Sequence, residues 1–146
     1  LSFFATHVIP FCESEYGLAS SAEKRVIGGY SLGGLFSLYA AVNNDLFGTV
    51  LSCSSSLWYP DFLDYLKEHP FKAAHSKLYM SVGDQEGTTA TNLTATQTVN
   101  TLALKEFYEP KFQAGDFQFT LEEGNHGNDI PGRAWRAVEW VVENSR

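Results

Sequence analysis

A serine, a pair of carboxylates and a histidine occur along this chain in an order that suits nucleophilic acyl transfer. Ser31 lies in Gly29-Tyr30-Ser31-Leu32-Gly33, a G-x-S-x-G pentapeptide between the β-branched Val26-Ile27 and the apolar run Leu35, Phe36, Leu38, Tyr39, Ala40, Ala41. Such a strand-turn-helix forces the serine into a strained backbone and stands its hydroxyl clear of the C-terminal edge of a parallel sheet, while the glycines remove side chains that would collide there. A serine hydroxyl is a poor nucleophile until an imidazole takes its proton, and the imidazole needs a carboxylate to fix its tautomer. Gly83-Asp84-Gln85-Glu86-Gly87 and Gly124-Asn125-His126-Gly127 offer those groups downstream, in the order Ser, acid, His. The same glycines do not make a nucleotide site. Gly34 stands where a P-loop needs Lys, and Tyr30 occupies the second glycine position of G-x-G-x-x-G.

Of four histidines, His7 falls in a first helix, His69 at a helix end before Pro70, and His75 in a loop opposite the strand exits, which leaves His126 as the candidate base. Two acids remain open. Glu86, three residues past Gly83, has the reach to swing toward the imidazole and is favoured; Asp84 is the alternative, though it can instead bond the turn's own amides. The backbone N–H of Leu32 is expected to hold a developing oxyanion, with a second donor from a loop upstream of Leu1. Tyr30 beside the serine and Trp58 in Ser54-Ser55-Ser56-Leu57-Trp58-Tyr59 are candidates to line a substrate pocket, with core packing the competing role for Trp58. Glu122, Glu123 and Asp129 read as surface charges.

The elements that must position these residues follow from periodicity. Residues 1–16 carry helical apolar spacing with a kink at Pro10 and a stop at Gly17. A polar connection at Ser20 and Ser21 leads to a first strand over 24–28, and a helix runs from Gly34 to Asn43 or Asn44. Strands are expected over 49–52, 77–82 and 117–121, and a short helix over 62–68 with Asp61 as its cap. A longer helix spans about 93–112, with apolar positions Val99, Leu102, Ala103 and Phe107. The last, over 131–142, has Ala134, Trp135, Val138, Val141 and Val142 on one side. Strands separated by helices imply an α/β fold, an open and mostly parallel sheet with helices on both faces and right-handed crossovers. Its ligand site lies outside the carboxyl ends of the strands, where the loops bearing Ser31, Glu86 and His126 all exit.

Composition narrows the function. The 146 residues suit one domain, 44% hydrophobic content argues against disorder, and a net charge of −7 without a basic run speaks against nucleic-acid or anionic-membrane binding. No stretch is apolar enough to cross a bilayer. Cys12 and Cys53 are too few for a disulfide framework, lack zinc spacing, and read as buried free thiols; no metal or cofactor is called for.

The segments IPF, RVIGGYSLGGLFSLYA, SSSLWY, VGDQEG and GNHGND, spread along nearly the whole chain, resemble the α/β hydrolases, specifically the esterase group that includes esterase D, siderophore esterases and feruloyl-type esterases. The resemblance implies hydrolysis of a small carboxylic ester through an acyl-enzyme on Ser31, with His126 as base and Glu86 in the family's acid position. A catalytically silent binding module or inactive fragment of the same fold, and a serine peptidase, are the alternatives. The chain starts at Leu1 within an apolar segment and reads as a single hydrolase domain lacking its N-terminal portion. Its first strand would then expose an apolar edge that further chain or a second copy is expected to cover.

Overall fold

Helix geometry at the start of the chain is set by one proline. In a computed structural model, which describes residues 1–18, 21–73 and 75–144, Phe4–Val8 form a π turn that leads into helix α1 (Ile9–Tyr16). Pro10 has no N–H, and its ring would strike the carbonyl four residues back in a regular helix. The chain widens instead, with the Ile9 amide donating to the Phe4 carbonyl, so the expected kink takes the form of a π turn. Gly17 ends α1 in the left-handed region at φ 61°. Of the polar connection, Ser20 lies outside the described residues.

Four parallel strands come next, in the spatial order β1-β2-β3-β4. Strand β1 (Val26–Tyr30) starts two residues later than expected, because Ala22–Lys24 close a 3-10 turn, and it continues through Gly28 and Gly29 to pair Tyr30 with Cys53. Helix α2 (Leu32–Asn43) therefore begins at once, and the intervening turn is Ser31 alone. Strands β2 (Thr49–Cys53), β3 (Lys77–Gly83) and β4 (Phe117–Glu122) each run one residue past the expected end. Between them lie α3 (Phe62–Glu68) and α4 (Gln97–Tyr108), and α5 (Ile130–Glu143) closes the fold. Asp61 precedes α3 at φ 60°, but its side chain makes no capping hydrogen bond, contrary to expectation.

Strand alternation sorts the core onto two faces. Ile27, Val50, Leu78 and Met80 pack with Leu38 and Val42 of α2, Leu66 of α3 and Leu104 of α4. Leu51, Cys53 and Tyr79 point the other way onto Ala137, Trp140 and Val141 of α5. Burying each Leu or Val of this kind contributes about 1.5–3 kcal/mol, so the first face dominates stability. Cys53 is buried as expected, whereas Cys12 is only half-buried.

Two helices pack inward only part of the apolar set that the pattern suggests, Phe107 on α4 and Val141 on α5, and bury polar positions beside it. On α4 the buried positions are Gln97, Thr101, Leu104 and Tyr108, while Val99 and Leu102 face outward. Gln97 and Asn100 donate to the carbonyls of Ser55 and Leu57, so the polar residues anchor the loop after β2. On α5 Arg133 and Ala137 are buried, and Trp135, Val138 and Val142 form an exposed stripe on the opposite side, Trp135 at 66% exposure. A helix apolar on both sides is built to lie between two layers. Strand β1 likewise ends the sheet with β2 as its partner, and Val26 is exposed there.

Held on their own in solution, these 146 residues are expected to self-associate and to bind a hydrophobic dye, and Trp135→Glu is expected to weaken both without unfolding the chain. Sedimentation as a monomer at high concentration with no dye binding would contradict this.

Candidate active site

The Ser31 turn is tight because strand and helix meet almost in contact. A Cβ on Gly29 would lie 2.3 Å from the Gly33 carbonyl carbon, and one on Gly34 would lie 2.0 Å from the Ser55 hydroxyl. Gly33, by contrast, has open space around it, so the close approach constrains positions 29 and 34 rather than the last glycine of the pentapeptide. Ser31 itself sits at φ 58°, ψ −120°, a conformation that side chains rarely adopt. Backbone bonds hold it there. Its N–H donates to the Cys53 carbonyl at 3.1 Å, and its carbonyl accepts from Leu35 at 3.0 Å and Ser56 at 3.1 Å. The Leu32 N–H opens α2, where helix amides have no partner within the helix, and lies next to the Ser31 hydroxyl in sequence.

The His126 loop is a local construction. Gly124 turns it at φ 95°, the Asn128 side chain accepts from the Asn125 amide, and the Asn125 side chain accepts from the Gly127 amide. These bonds carry the half-exposed His126 ring over the serine, with Nε2 3.0 Å from Ser31 Oγ and Nδ1 2.8 Å from Glu86 Oε2. A Ser56 hydroxyl lies 3.3 Å from Ser31 Oγ.

Glu86 is 2% exposed, yet its carboxylate is well supplied with donors. Oε1 accepts from the Gly83 amide at 2.7 Å, the Ser54 hydroxyl at 2.7 Å and Arg133 Nη1 at 2.9 Å. Burial pushes the carboxyl up, but hydrogen bonds from His126, Ser54 and the Gly83 amide outweigh it and hold Glu86 below its ordinary value. Asp84, the other candidate acid, instead accepts from the Gly124 amide at 2.8 Å and so ties the β3 loop to the histidine loop. Between the two acids, the geometry brings Glu86 to the imidazole. The Cys53 thiol is no rival nucleophile, since burial raises it to about 11 and keeps it protonated at neutral pH.

Nothing in the chain's apolar patterning singles out Arg133, although it holds the centre of the site. Its position four residues before Ala137 and seven before Trp140, on the side of α5 that faces the sheet, is the signal that could have found it. Other placements also differ from expectation. Tyr30 donates its hydroxyl to the His126 carbonyl at 2.7 Å and stacks obliquely on that ring, so it braces the histidine loop rather than standing open to a pocket. Trp58 is half-buried against Tyr59. Glu122 is not a free surface charge but a buried partner of Arg136, which donates to both its oxygens; Asp129 is exposed, as expected, and accepts from the Gly132 amide at the start of α5. A cavity of about 350 Å³ between Phe71, Phe107, Tyr108 and Phe112 opens beside Asp116, which precedes β4, at the other end of the sheet from Ser31. Among the described residues, no three His, Cys, Asp or Glu side chains cluster as metal ligands.

Comparison with known proteins agrees with this arrangement of elements. The family described as "Putative esterase" matches residues 1–129. The uncharacterized protein YbbA of Bacillus subtilis is 25% identical over 150 residues, covering all of this chain and 60% of the relative. The siderophore hydrolase EstA of Aspergillus nidulans superposes with a TM-score of 0.69 at 19% identity, over 99% of this chain and 55% of that one. The enterobactin esterase of Shigella flexneri, solved with 2,3-dihydroxy-N-benzoyl-serine, gives a TM-score of 0.78 at 21% identity, over 98% and 38%. The chain thus spans 60% or less of the length of each of these three proteins.

Gly29→Ala is expected to destabilise the fold by about 1–3 kcal/mol through overpacking against Gly33, whereas Gly33→Ala is expected to be neutral or stabilising by up to about 1 kcal/mol. Denaturant melts of the two variants check this, and equal losses would place the steric constraint wrongly.

Proposed function

Since the chain belongs to the esterase family, we propose that it is a carboxylic ester hydrolase acting through an acyl-enzyme on Ser31. The observation that carries the reading is the unbroken relay from Ser31 Oγ through His126 to Glu86, at 3.0 and 2.8 Å. In this reading the substrate is a small-molecule ester. Ser31 Oγ attacks the ester carbonyl as His126 Nε2 takes its proton. Glu86 accepts from Nδ1–H, which fixes the tautomer and stabilises the imidazolium that forms. The carbonyl oxygen gains the negative charge of the tetrahedral intermediate, and the Leu32 N–H donates to it. As the intermediate collapses, the C–O bond to the alcohol breaks, and His126 returns the proton to the departing oxygen. Water then enters with His126 as base, attacks the acyl carbon, and releases the acid and free Ser31. Every proton lost at one step is returned at the next, so none of these steps calls on a group beyond side chains, backbone and water.

The strained Ser31 backbone supports the same reading. A serine held at φ 58° costs of order 1–3 kcal/mol, a strain that persists where surrounding bonds over-determine it and that clusters at reactive sites.

Treatment with a fluorophosphonate is expected to label the wild-type protein at one site, and Ser31→Ala is expected to abolish the adduct. An adduct that survives the substitution unchanged would overturn the assignment. Hydrolysis of short p-nitrophenyl esters by the same preparations should fall by about 10³-fold or more in Ser31→Ala. Glu86→Ala is expected to cost far more turnover than Asp84→Ala, and the reverse order would move the acid to Asp84.

A further inference from the structure

The guanidinium of Arg133 is 0% exposed and makes hydrogen bonds at the exit of every strand of the sheet. Nη1 donates to the Tyr30 hydroxyl at 3.2 Å, the Ser54 hydroxyl at 3.0 Å and Glu86 Oε1 at 2.9 Å. Nη2 donates to the carbonyls of Glu123 and Asn125, both at 3.1 Å. Tyr30 ends β1, Ser54 comes directly after β2, Glu86 lies in the loop after β3, and Glu123 and Asn125 lead to His126 after β4.

We infer that Arg133 is a positioning residue that sets both the geometry and the charge of the Glu86–His126 pair. The geometric part rests on the fork. A planar guanidinium offers donors in fixed directions, so five acceptors at four strand exits are fixed relative to one another by one rigid group. Its hold on Asn125 and, through the Tyr30 hydroxyl, on the His126 carbonyl fixes the histidine loop from two sides. The charge part rests on burial. A carboxylate that faces imidazole on one oxygen and a cation on the other presents less negative charge to the imidazole than an unpaired one would.

The other charged and titratable groups around the pair do not take over that role. Tyr30 at the end of β1 and Ser31 just after it contact the imidazole, and neither carries a positive charge. Asp84 is bonded to the Gly124 amide, the Glu123 carbonyl accepts from Arg133, and Glu122 and Asp129 are paired with Arg136. The cation in contact with Glu86 is Arg133.

The test uses the full chain and two variants, Arg133→Gln and Arg133→Lys, with ¹H–¹⁵N NMR tracking the titration of the His126 ring. Loss of the positive charge in Arg133→Gln is expected to raise the titration midpoint by about one pH unit, while Arg133→Lys keeps it near the wild-type value. The kinetic arm rests on the esterase reading: the acid limb of kcat/KM should show the same pattern, and Arg133→Lys should lose about tenfold in kcat with little change in KM, because charge is kept and the fork is lost. An unchanged midpoint in Arg133→Gln, or the same shift in both variants, overturns the inference. If Arg133→Gln does not fold, Arg133→Lys decides alone: wild-type kcat or a displaced midpoint refutes the inference, and reduced kcat at an unmoved midpoint supports it. A wild-type protein that neither hydrolyses esters nor takes the phosphonate would fail the esterase reading, while the NMR arm would still judge Arg133.

Discussion

An ionised carboxylate almost out of reach of water is the constraint around which this site is built. Taking Glu86 from water would cost several kcal/mol uncompensated, and its lone pairs are met by a backbone amide, a hydroxyl, a guanidinium and an imidazole. Each donor comes from a different part of the chain: the end of β3, the loop after β2, α5, and the loop after β4. Satisfying one acid therefore fixes four segments at once. The depressed carboxyl has a defined consequence for stability, since a group lowered on folding contributes above its unfolded value, near 4.5, and loses that contribution as pH falls through the folded one.

That convergence depends on the sheet being parallel. With β1 to β4 all running one way and in direct spatial order, the chain leaves each strand at the same edge. Antiparallel pairing of any one strand would send its loop to the other end, beside Asp116 and Lys77, where the aromatic cavity lies. The register adds precision. Pairing Tyr30 with Cys53 and Cys53 with Ser81 brings the Ser31 turn level with Ser54, whose hydroxyl then reaches Glu86. The turn needs no long loop because Gly29 lets α2 start against the strand.

Much of this was legible in the sequence, and what was not has a common cause. Strand positions came from local signals, β-branched runs and glycine-bounded exits, and erred by one or two residues where tertiary pairing extended them, as at Gly29 and Tyr30. Ser31, His126 and, alongside Asp84, Glu86 were legible as candidates because acyl-transfer chemistry asks for those types at strand exits, and the structure brings Ser31, His126 and Glu86 within hydrogen-bond reach. Arg133 could not, because its role depends on a rotation of α5 that apolar periodicity reads backwards. The sequence stripe of Trp135, Val138 and Val142 outweighs Ala137 and Trp140, so hydrophobicity alone turns the helix over. The spacing of Arg133 from Ala137 and Trp140 is the one local signal of its burial, and the larger apolar stripe outweighs it. On α4 the same inversion arises from Gln97 and Thr101, polar residues buried by hydrogen bonds to carbonyls.

The rotation of α5 also couples the site to the outer surface. Arg133 and Trp135 sit on opposite sides of one helix, so the element that holds the acid has its second apolar stripe in solvent. Against the sheet α5 presents Ala137, Trp140 and Val141, a smaller apolar contact than α2, α3 and α4 make together on the other face. Regions with few buried apolar contacts open at the lowest free energy. Among the contacts that tie this helix to the strand exits is the Arg133–Glu86 pair at 2.9 Å, which would have to separate if α5 lifted. Anything that covers Trp135, Val138 and Val142 therefore adds directly to the stability of the arrangement around Glu86, because lifting α5 from the sheet would have to break both contacts together.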